Sequence, residues 1–465
     1  MTTSVISTFP LEIIWKILLL LEDRKDLFSL ALVQRRFYEI IIPDFLDYHT
    51  IKCPYNKEDV WVHLLKQPAS WKVVRDIFLV ENDDLRRKYI PRACKVRQTY
   101  DYSIDRFASA LSHFSNLQSF TSLNQLGSKY EVVLKTLTDL NSALKTLVLV
   151  DSKSSDGHLP LKHLNPSTVS QLTRLEIISG RAVDNSDSLT DILLHVENLN
   201  RLVLNVHFDI THVLGTYTWK NLNHLFLGNR VDFFSDTTMD SDENRPLFTA
   251  FFKRHPFLKW LSLPLATDLN DCFPLEDVFP NLRVLEWNQI TPILPSRELT
   301  LPASVARRLV HYSSMFREGW LPAFRDMSNL QSCCLGLNMD QAKYLEPLFQ
   351  CAPRITKLRI ELYGGGIPLY GWIKRTIDVI LKMNLPLTHL LSLFNDVDMG
   401  YQTGKKETVE RVAQQIPTLE YTTGCVHGKT VFLKIIRKYD TYTGFDILYD
   451  PEAVDDPYLT SWGKF

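Results

Sequence analysis

One run of residues has the composition of a phosphate-binding loop. Gly424-Cys425-Val426-His427-Gly428-Lys429-Thr430 ends in the Gly-Lys-Thr that cradles nucleotide phosphates in such loops. The motif requires four residues between its two glycines, and only three stand here. The run also follows a series of repeats instead of lying in a nucleotide-binding unit. We therefore exclude nucleotide chemistry at this position.

Other patterns that support catalysis or metal binding are absent from the sequence. It contains no His-Glu-x-x-His and no Gly-x-Ser-x-Gly, and its 13 histidines lack the paired spacing of a zinc site. The acidic stretch 235–244 lacks the fixed ligand spacing of a calcium loop. The seven cysteines form no Cys-x-x-Cys pair and no RING-type cluster. The sequence therefore predicts a non-enzymatic protein with reduced thiols, no metal and no cofactor.

The composition is that of a folded, soluble protein. The 465 residues are 45% apolar and 23% charged, with a net charge of −1, so no strong field attracts nucleic acid or an anionic membrane. No apolar run reaches the roughly 18 residues that a membrane span needs. The apolar stretch 13–21 contains Lys16 and follows no basic region, which argues against a signal peptide. We expect a cytoplasmic or nuclear protein with neither nucleic acid nor membrane as a partner.

The first 47 residues predict three short helices. Pro10 suits the first turn of one helix, Asp26 predicts the N-cap of a second, and a third runs over 35–42 before Pro43. The first helix is apolar on nearly every face. A module of this size has too little interior to bury all of that surface. Either the following repeats or a partner protein must cover the surplus face.

The same residues resemble the F-box motif, which opens with Leu-Pro-x-Glu-Ile and continues through Asp-Leu to a Val-Cys-Arg/Lys-x-Trp/Phe close. Phe9 stands at the opening Leu and Gln34 at the frequent Cys, and the resemblance covers residues 9–46. The positions that match the motif are Pro10, Glu12, Ile13, Ile17, Asp26, Leu27, Leu30, Val33, Arg35 and Phe37.

This resemblance implies a three-helix module that binds a Skp-type adaptor and, through it, a cullin scaffold. It also implies which positions form the adaptor-binding face, although several of them could instead belong to the core of the module. The adaptor-binding candidates are Pro10, Leu11, Ile14, Ile17, Leu27, Leu30 and Val33.

An apolar–x–x–apolar–x–apolar pattern recurs along the rest of the chain. The spacings between successive copies are mostly 23–28 residues, which is typical of leucine-rich repeats. A 48-residue gap leaves room for a degenerate copy at Ala306/Leu309. Several copies carry an asparagine just before the first leucine. The copies begin at Leu117, Leu144, Leu172, Leu199, Leu222, Leu258, Leu282, Leu330, Ile355, Leu387 and Leu419.

Amphipathic stretches at helical spacing separate these copies, for example Val133, Leu134 and Leu137. A strand followed by a helix, repeated many times, predicts an α/β fold. We therefore expect an N-terminal three-helix F-box at 1–47 and a curved leucine-rich repeat solenoid at 48–425, with a C-terminal cap or tail at 426–465. Its parallel sheet would form the concave face and its helices the convex face.

In each strand the residues between the apolar positions should point to the concave face. Arginine and aromatic residues there are of the types that dominate protein interfaces, but most exposed strand residues are only surface. The candidate substrate-binding residues are Arg174, Arg201, His224, Phe226, Trp260, Glu286, Lys357 and Arg359.

Two functions are compatible with the sequence. The first is the substrate-recognition subunit of an SCF-type E3 ubiquitin ligase, in which the chain links an unknown protein substrate to the adaptor and cullin. The reactive thiol would then belong to another subunit. The alternative is a leucine-rich repeat interaction scaffold without a ubiquitin-ligase role, whose N-terminal helices only cap the solenoid.

Overall fold

The computed structural model describes most of the chain, and three sequence features lie outside the described residues. These are the acidic stretch 235–244, the triple glycine at 364–366 and residues 449–465 of the expected C-terminal cap. The described ranges are 9–21, 24–80, 89–94, 104–123, 126–140, 144–151, 158–183, 186–228, 231–232, 250–264, 279–288, 301–316, 318–363, 369–394, 403–426, 429–438 and 441–448.

The chain divides into two compact units. Unit 1 comprises Met1–Leu222 and Arg230–Ser235, and unit 2 comprises Asn223–Asn229 and Asp236–Phe465. The sequence did not predict this division, which falls inside the expected solenoid, because the repeat pattern continues across it with a copy beginning at Leu222.

Unit 1 begins with three helices, α1 Leu11–Leu20, α2 Arg24–Val33 and α3 Arg35–Ile41. Pro10 precedes α1, as expected, and the extended Gln34 separates α2 from α3. Asp26 lies in the first turn of α2 instead of capping it, because α2 begins two residues earlier. A π-helical turn, Ile42–Leu46, and the short α4, Asp47–His49, lead into the first strand.

Strands and helices alternate through the rest of unit 1. The strands are β1 Thr50–Cys53, β2 Asp76–Leu79, β3 Ser119–Leu123, β4 Thr146–Asp151, β5 His158–Leu159, β6 Arg174–Val183, β7 Arg201–Asp209 and β9 Val231–Asp232. The helices are α5 Glu58–Leu65, α6 Asp105–Leu111, α7 Tyr130–Asp139, α8 Pro166–Val169, α9 Ser186–His195 and α10 Thr211–Thr216.

The main strands of unit 1 are parallel, in the order β1-β2-β3-β4-β6-β7. Equivalent positions of the sequence repeat lie side by side, because Phe120, Leu147, Leu175 and Leu202 are consecutive register partners. The sequence period therefore equals the structural period, and the predicted parallel strand–helix repeat is confirmed.

Unit 2 has the same strand–helix alternation. Its strands are β8 His224–Leu227, β10 Trp260–Pro264, β11 Val284–Asn288, β12 His311–Met315, β13 Ser332–Asn338, β14 Lys357–Tyr363, β15 His389–Leu391, β16 Tyr421–Val426, β17 Lys429–Lys438 and β18 Thr441–Leu448. Its helices are α11 Ala303–Ala306, α12 Leu321–Asp326, α13 Leu345–Cys351, α14 Leu369–Met383 and α15 Thr403–Gln415.

The strands from β8 through β10 to β16 are parallel neighbours in chain order. The degenerate copy at Ala306/Leu309 precedes β12, which pairs with the strands on either side of it, as the repeat spacing predicts. In contrast, β16, β17 and β18 pair antiparallel. β17 is therefore the middle strand of an antiparallel ribbon. The glycine–lysine run also lies here, at the β16–β17 junction, and not at the strand-to-helix turn that phosphate binding needs.

The core of each unit lies between the strands and the helices. The helical stretch expected around Val133 buries its apolar face as α7, and α9 buries Leu189, Ile192 and Leu193 in the same way. The long helix α14 was not predicted, although it buries Ile373, Ile377 and Ile380 at the same helical spacing. Within the described part of the chain, no helix is both long and apolar enough to cross a membrane.

Candidate protein-interaction surfaces

Exposed apolar side chains concentrate on the three N-terminal helices. Of the large apolar side chains that are exposed among the described residues, eight of twelve lie here, and the remaining four are scattered over both units. We call the eight the apolar surface, and they are Leu11, Ile13, Ile17, Leu20, Phe28, Leu32, Val33 and Tyr38. Leu20, Leu32 and Val33 are 79%, 66% and 73% exposed, so the repeats of the same unit leave them uncovered.

Helical periodicity explains why these residues are exposed together. On α1, Ile13, Ile17 and Leu20 follow one another at spacings of four and three residues and so share one face. Phe28 and Leu32 do the same on α2. The inward face carries a second apolar set at the same spacing, and its buried members are Ile14, Leu18, Leu27, Ala31, Phe37 and Ile41.

The seven adaptor-binding candidates divide between these two faces. Pro10, Leu11, Ile17 and Val33 are exposed, and Leu30 is half-buried. Ile14 and Leu27 are only 2% and 1% exposed, because a three-helix module needs them for its own core. These two positions are therefore core residues of the module, which is the alternative that the sequence left open.

The structure adds exposed residues that were not among the candidates. Ile13, Leu20, Phe28, Leu32 and Tyr38 complete the apolar surface. The sequence signal for Phe28 and Leu32 was their four-residue spacing. The F-box motif specifies residue types at given positions and does not specify which helix face each position occupies.

Other apolar residues of the module face inward. The Trp15 ring packs on the Phe45 ring, with 4.7 Å between the ring centroids. The Arg36 side chain donates a hydrogen bond of 3.0 Å to the Phe9 carbonyl oxygen, which ties the segment before α1 to α3. The module is thus a packed unit that keeps an apolar outer face.

A second candidate surface is the strand face, which we define as the side of the strands that points away from the helices. In unit 1, the Glu176 carboxylate is buried and accepts hydrogen bonds from Arg174 and Arg201, at 2.8 and 2.6 Å. Both arginine side chains remain partly exposed, at 37% and 27%. The two predicted arginines are therefore brought side by side, with one carboxylate offsetting part of their charge.

In unit 2, part of the predicted binding row is buried. His224 and Phe226 are each 6% exposed and Glu286 is 1% exposed, so these three are corrected from accessible to interior positions. The strand register gives one reason. Ser262, which has a small side chain, pairs with the larger Phe226 on one neighbouring strand and with the larger Glu286 on the other, and adjacent strands lie less than about 5 Å apart. A ligand on this face would reach Trp260, Lys357 and Arg359, which are half-buried.

Buried ionisable groups line the same strands. The His311 ring lies within 2.7 Å of the Ser332 hydroxyl, and burial, helped by the Lys357 charge, lowers the pKa of His311 to about 3. The Arg359 guanidinium forms an ion pair of 2.7 Å with Glu361. The Cys333 and Cys334 thiols are buried, which raises the pKa of each, so neither is an activated nucleophile.

The asparagines that precede several repeats have a structural role. The side-chain amides of Asn116, Asn281 and Asn329 donate to the backbone carbonyl oxygens of Lys72, Pro256 and Arg307, at 2.9, 2.8 and 2.7 Å. Each bond therefore reaches back 22 to 44 residues along the chain.

Side chains of the types that bind metals are dispersed over the described residues. Among them, no three His, Cys, Asp or Glu side chains converge to hold a metal ion. The two arrangements that could act on another molecule are the apolar surface and the partly exposed arginines, lysine and tryptophan of the strand faces.

Comparison with known proteins leaves the F-box resemblance as a prediction. No protein-family model matches the chain, and no curated protein matches it. A solved structure, described as the Rad7 and Elc1 complex in yeast, is 12% identical with a TM-score of 0.36. The match covers 79% of this chain and 96% of that chain. The fold assignment therefore rests on the strands, helices and register described above.

Proposed function

We propose that this chain is the non-catalytic substrate-recognition subunit of an SCF-type E3 ubiquitin ligase. The three N-terminal helices would dock on a Skp-type adaptor, which in turn binds a cullin, and the repeats would hold a protein substrate. The observation that carries the proposal is the apolar surface, which coincides with the residues that resemble the F-box motif.

The physical argument starts from the cost of exposed apolar area. Each buried square ångström of such area is worth about 25 cal/mol, so a surface left in water is a site for a partner. A stable interface needs about 800 Å² on each side. The exposed leucines, isoleucines, valine and aromatic rings of α1, α2 and α3 supply apolar groups of the kind found at the centre of such interfaces.

The proposed role in ubiquitination requires no chemistry from this chain. A receptor that binds a substrate beside the charged conjugating enzyme raises the effective concentration of the substrate lysines. The partly exposed Arg174, Arg201, Trp260, Lys357 and Arg359 of the strand faces are our candidates for the substrate side.

The test is binding of a purified Skp-type adaptor to the full chain. We expect the wild type to bind and the Leu32→Asp/Val33→Asp double variant to bind about 100-fold more weakly, since charges replace the most exposed apolar groups of α2. Leu27 is avoided as a test position because Leu27→Asp would place a charge in the core of the module.

The matched control is Val132→Asp on α7, which replaces another exposed apolar residue of unit 1, 42% exposed, outside the module. It should bind like the wild type. Unchanged binding by the double variant, or no binding by a well-folded wild type, would remove the ligase role and leave the interaction-scaffold alternative.

A further inference from the structure

The corner between α1 and α2 is held on the first repeats by an arginine from a distant part of the chain. The Arg75 guanidinium donates hydrogen bonds to the carbonyl oxygens of Leu19, at 2.7 Å, and Asn116, at 3.1 Å. Leu19 lies in the last turn of α1, whose carbonyl oxygens lack partners within the helix. The last turn of α1 carries no basic residue of its own. Arg75 therefore supplies a hydrogen-bond donor to a carbonyl oxygen that has no partner within α1, and it places a positive charge at the negative end of the helix dipole.

The backbone of Arg75 is fixed by the repeats themselves. Its N–H donates to the His49 carbonyl oxygen at 2.9 Å, and its own carbonyl oxygen accepts from the N–H groups of Gln118 and Ser119. Arg75 directly precedes β2, and these partners lie beside β1 and β3. One residue thus connects the end of α1 with the starts of three parallel strands, and it is only 8% exposed.

A second arginine holds the start of α2 at the same corner. The Arg24 guanidinium lies 4.1 Å from the centre of the Tyr89 ring. Burial lowers the pKa of Arg24, while the charges of Asp76 and Asp47 act in the opposite direction. Asp76 is oriented by the Thr50 hydroxyl, which donates to it at 3.0 Å.

We propose that Arg75 is a positioning residue that fixes the orientation of the helical module on the first three strands. A guanidinium holds two carbonyl oxygens in a rigid planar fork, which the point charge of a lysine cannot reproduce. Because α1 and α2 also present the apolar surface, the contacts of Arg75 set the direction in which a bound adaptor extends from the repeats. This effect on the adaptor rests on the proposed function, whereas the role of Arg75 in orienting the module does not.

The first experiment measures a distance distribution in the full chain without any partner. Spin labels are introduced as noncanonical residues at Ser29 on α2 and Lys135 on α7, which are both exposed. We expect a narrow distribution in the wild type and a distribution about twofold broader in Arg75→Met, because the fork no longer ties α1 to the strands. Arg75→Lys should fall between the two.

The matched control is Arg181→Met. Arg181 is also 8% exposed and forms an ion pair of 2.9 Å with Asp151, which lies in the repeats at the end of β4. The Arg181→Met variant should keep the narrow distance distribution, even if it has a lower melting temperature. If Arg75→Met does not fold, the same comparison with Arg75→Lys decides the matter. An unchanged width in the folded Arg75 variant would overturn the proposal.

Amide hydrogen exchange separates orientation from folding. If Arg75 only orients the module, the amides around Ile14 and Leu18 keep their wild-type protection in Arg75→Met. Loss of that protection together with broadening would show that Arg75 folds α1 instead of orienting it, which would also overturn the proposal.

A second arm uses a reconstituted ligase and the lysines of the chain itself. The wild type should be ubiquitinated at a restricted set of lysines, and Arg75→Met should spread the modification over more of them while binding the adaptor with wild-type affinity. A wild-type chain that is never ubiquitinated would count against the proposed function and leave the distance result standing. An unchanged pattern in a variant with a broadened distance distribution would remove the consequence for ubiquitination.

Discussion

Residues of the same type have opposite surroundings in the helical module and in the repeats of unit 1. Leu134, Leu175 and Leu202 are fully buried, whereas Leu20 and Leu32 are 79% and 66% exposed. In the repeats, each strand and helix is covered by the next copy of the same unit. On the described outer side of the module, Leu20 and Leu32 stay exposed instead. The repeats therefore complete their own core, while the module keeps an apolar face in water.

The largest expected effect comes from the repeat core. Leu175→Ala should lower the free energy of unfolding by about 2–5 kcal/mol, because it leaves a cavity in the core between the strands and the helices. Leu32→Ala, the same change on the apolar surface, should alter it by less than about 0.5 kcal/mol. Chemical denaturation of both variants measures the contrast. Equal losses would show that Leu32 is packed and that the two regions do not differ.

Acid should destabilise unit 2 through its buried histidines. Burial lowers the pKa of His255 to about 4 and that of His311 to about 3, from 6.5 in the unfolded chain. At pH values between 6.5 and these lowered pKa values, the two histidines are protonated in the unfolded chain but neutral in the folded protein. The free energy of unfolding is therefore insensitive to these groups above pH 6.5 and falls as the pH decreases below it, by up to about 1.4 kcal/mol per pH unit for each histidine.

Denaturation curves at several pH values between 7 and about 4.5 test this expectation. The His255→Gln/His311→Gln double variant should have a shallower loss of stability than the wild type over that interval. An identical loss in the two proteins would show that neither histidine is the source of the acid sensitivity.

The smallest expected effect comes from the asparagines between repeats. Asn281→Ala removes the hydrogen bond to the Pro256 carbonyl oxygen and should cost about 1 kcal/mol of unfolding free energy. Asn200→Ala, at an exposed asparagine before β7, provides the comparison. A cost at Asn281 no greater than at Asn200 would mean that the bond between repeats contributes nothing to stability.

Sequence patterns predicted the repeats well because the spacing of the apolar residues in the sequence has the same period as the pairing of the strands. The apolar positions three residues into each copy, from Leu147 to Leu390, became register partners within their units. The antiparallel ribbon of β16, β17 and β18 was not predicted, since a repeat pattern carries no information on strand direction after it ends.

The candidate surfaces were predicted less well, because burial is decided by neighbours that are distant in the sequence. Leu27 matches the motif as well as Ile17 and Val33 do, and only packing separates this core residue from the surface residues. His224 and Glu286 follow the strand alternation, yet neighbouring strands bury them. Arg75 belongs to no sequence motif, and its hydrogen-bond partners Leu19 and Asn116 lie 56 and 41 residues away along the chain.

Hydrogen–deuterium exchange of the full chain, with and without a purified Skp-type adaptor, measures whether α1 and α2 form the adaptor-binding surface. We expect the adaptor to slow exchange in peptides that cover α1 and α2, and to leave exchange in α7 of the same unit unchanged. Adaptor binding with no protection of α1 and α2, or protection confined to the repeats, would contradict this expectation.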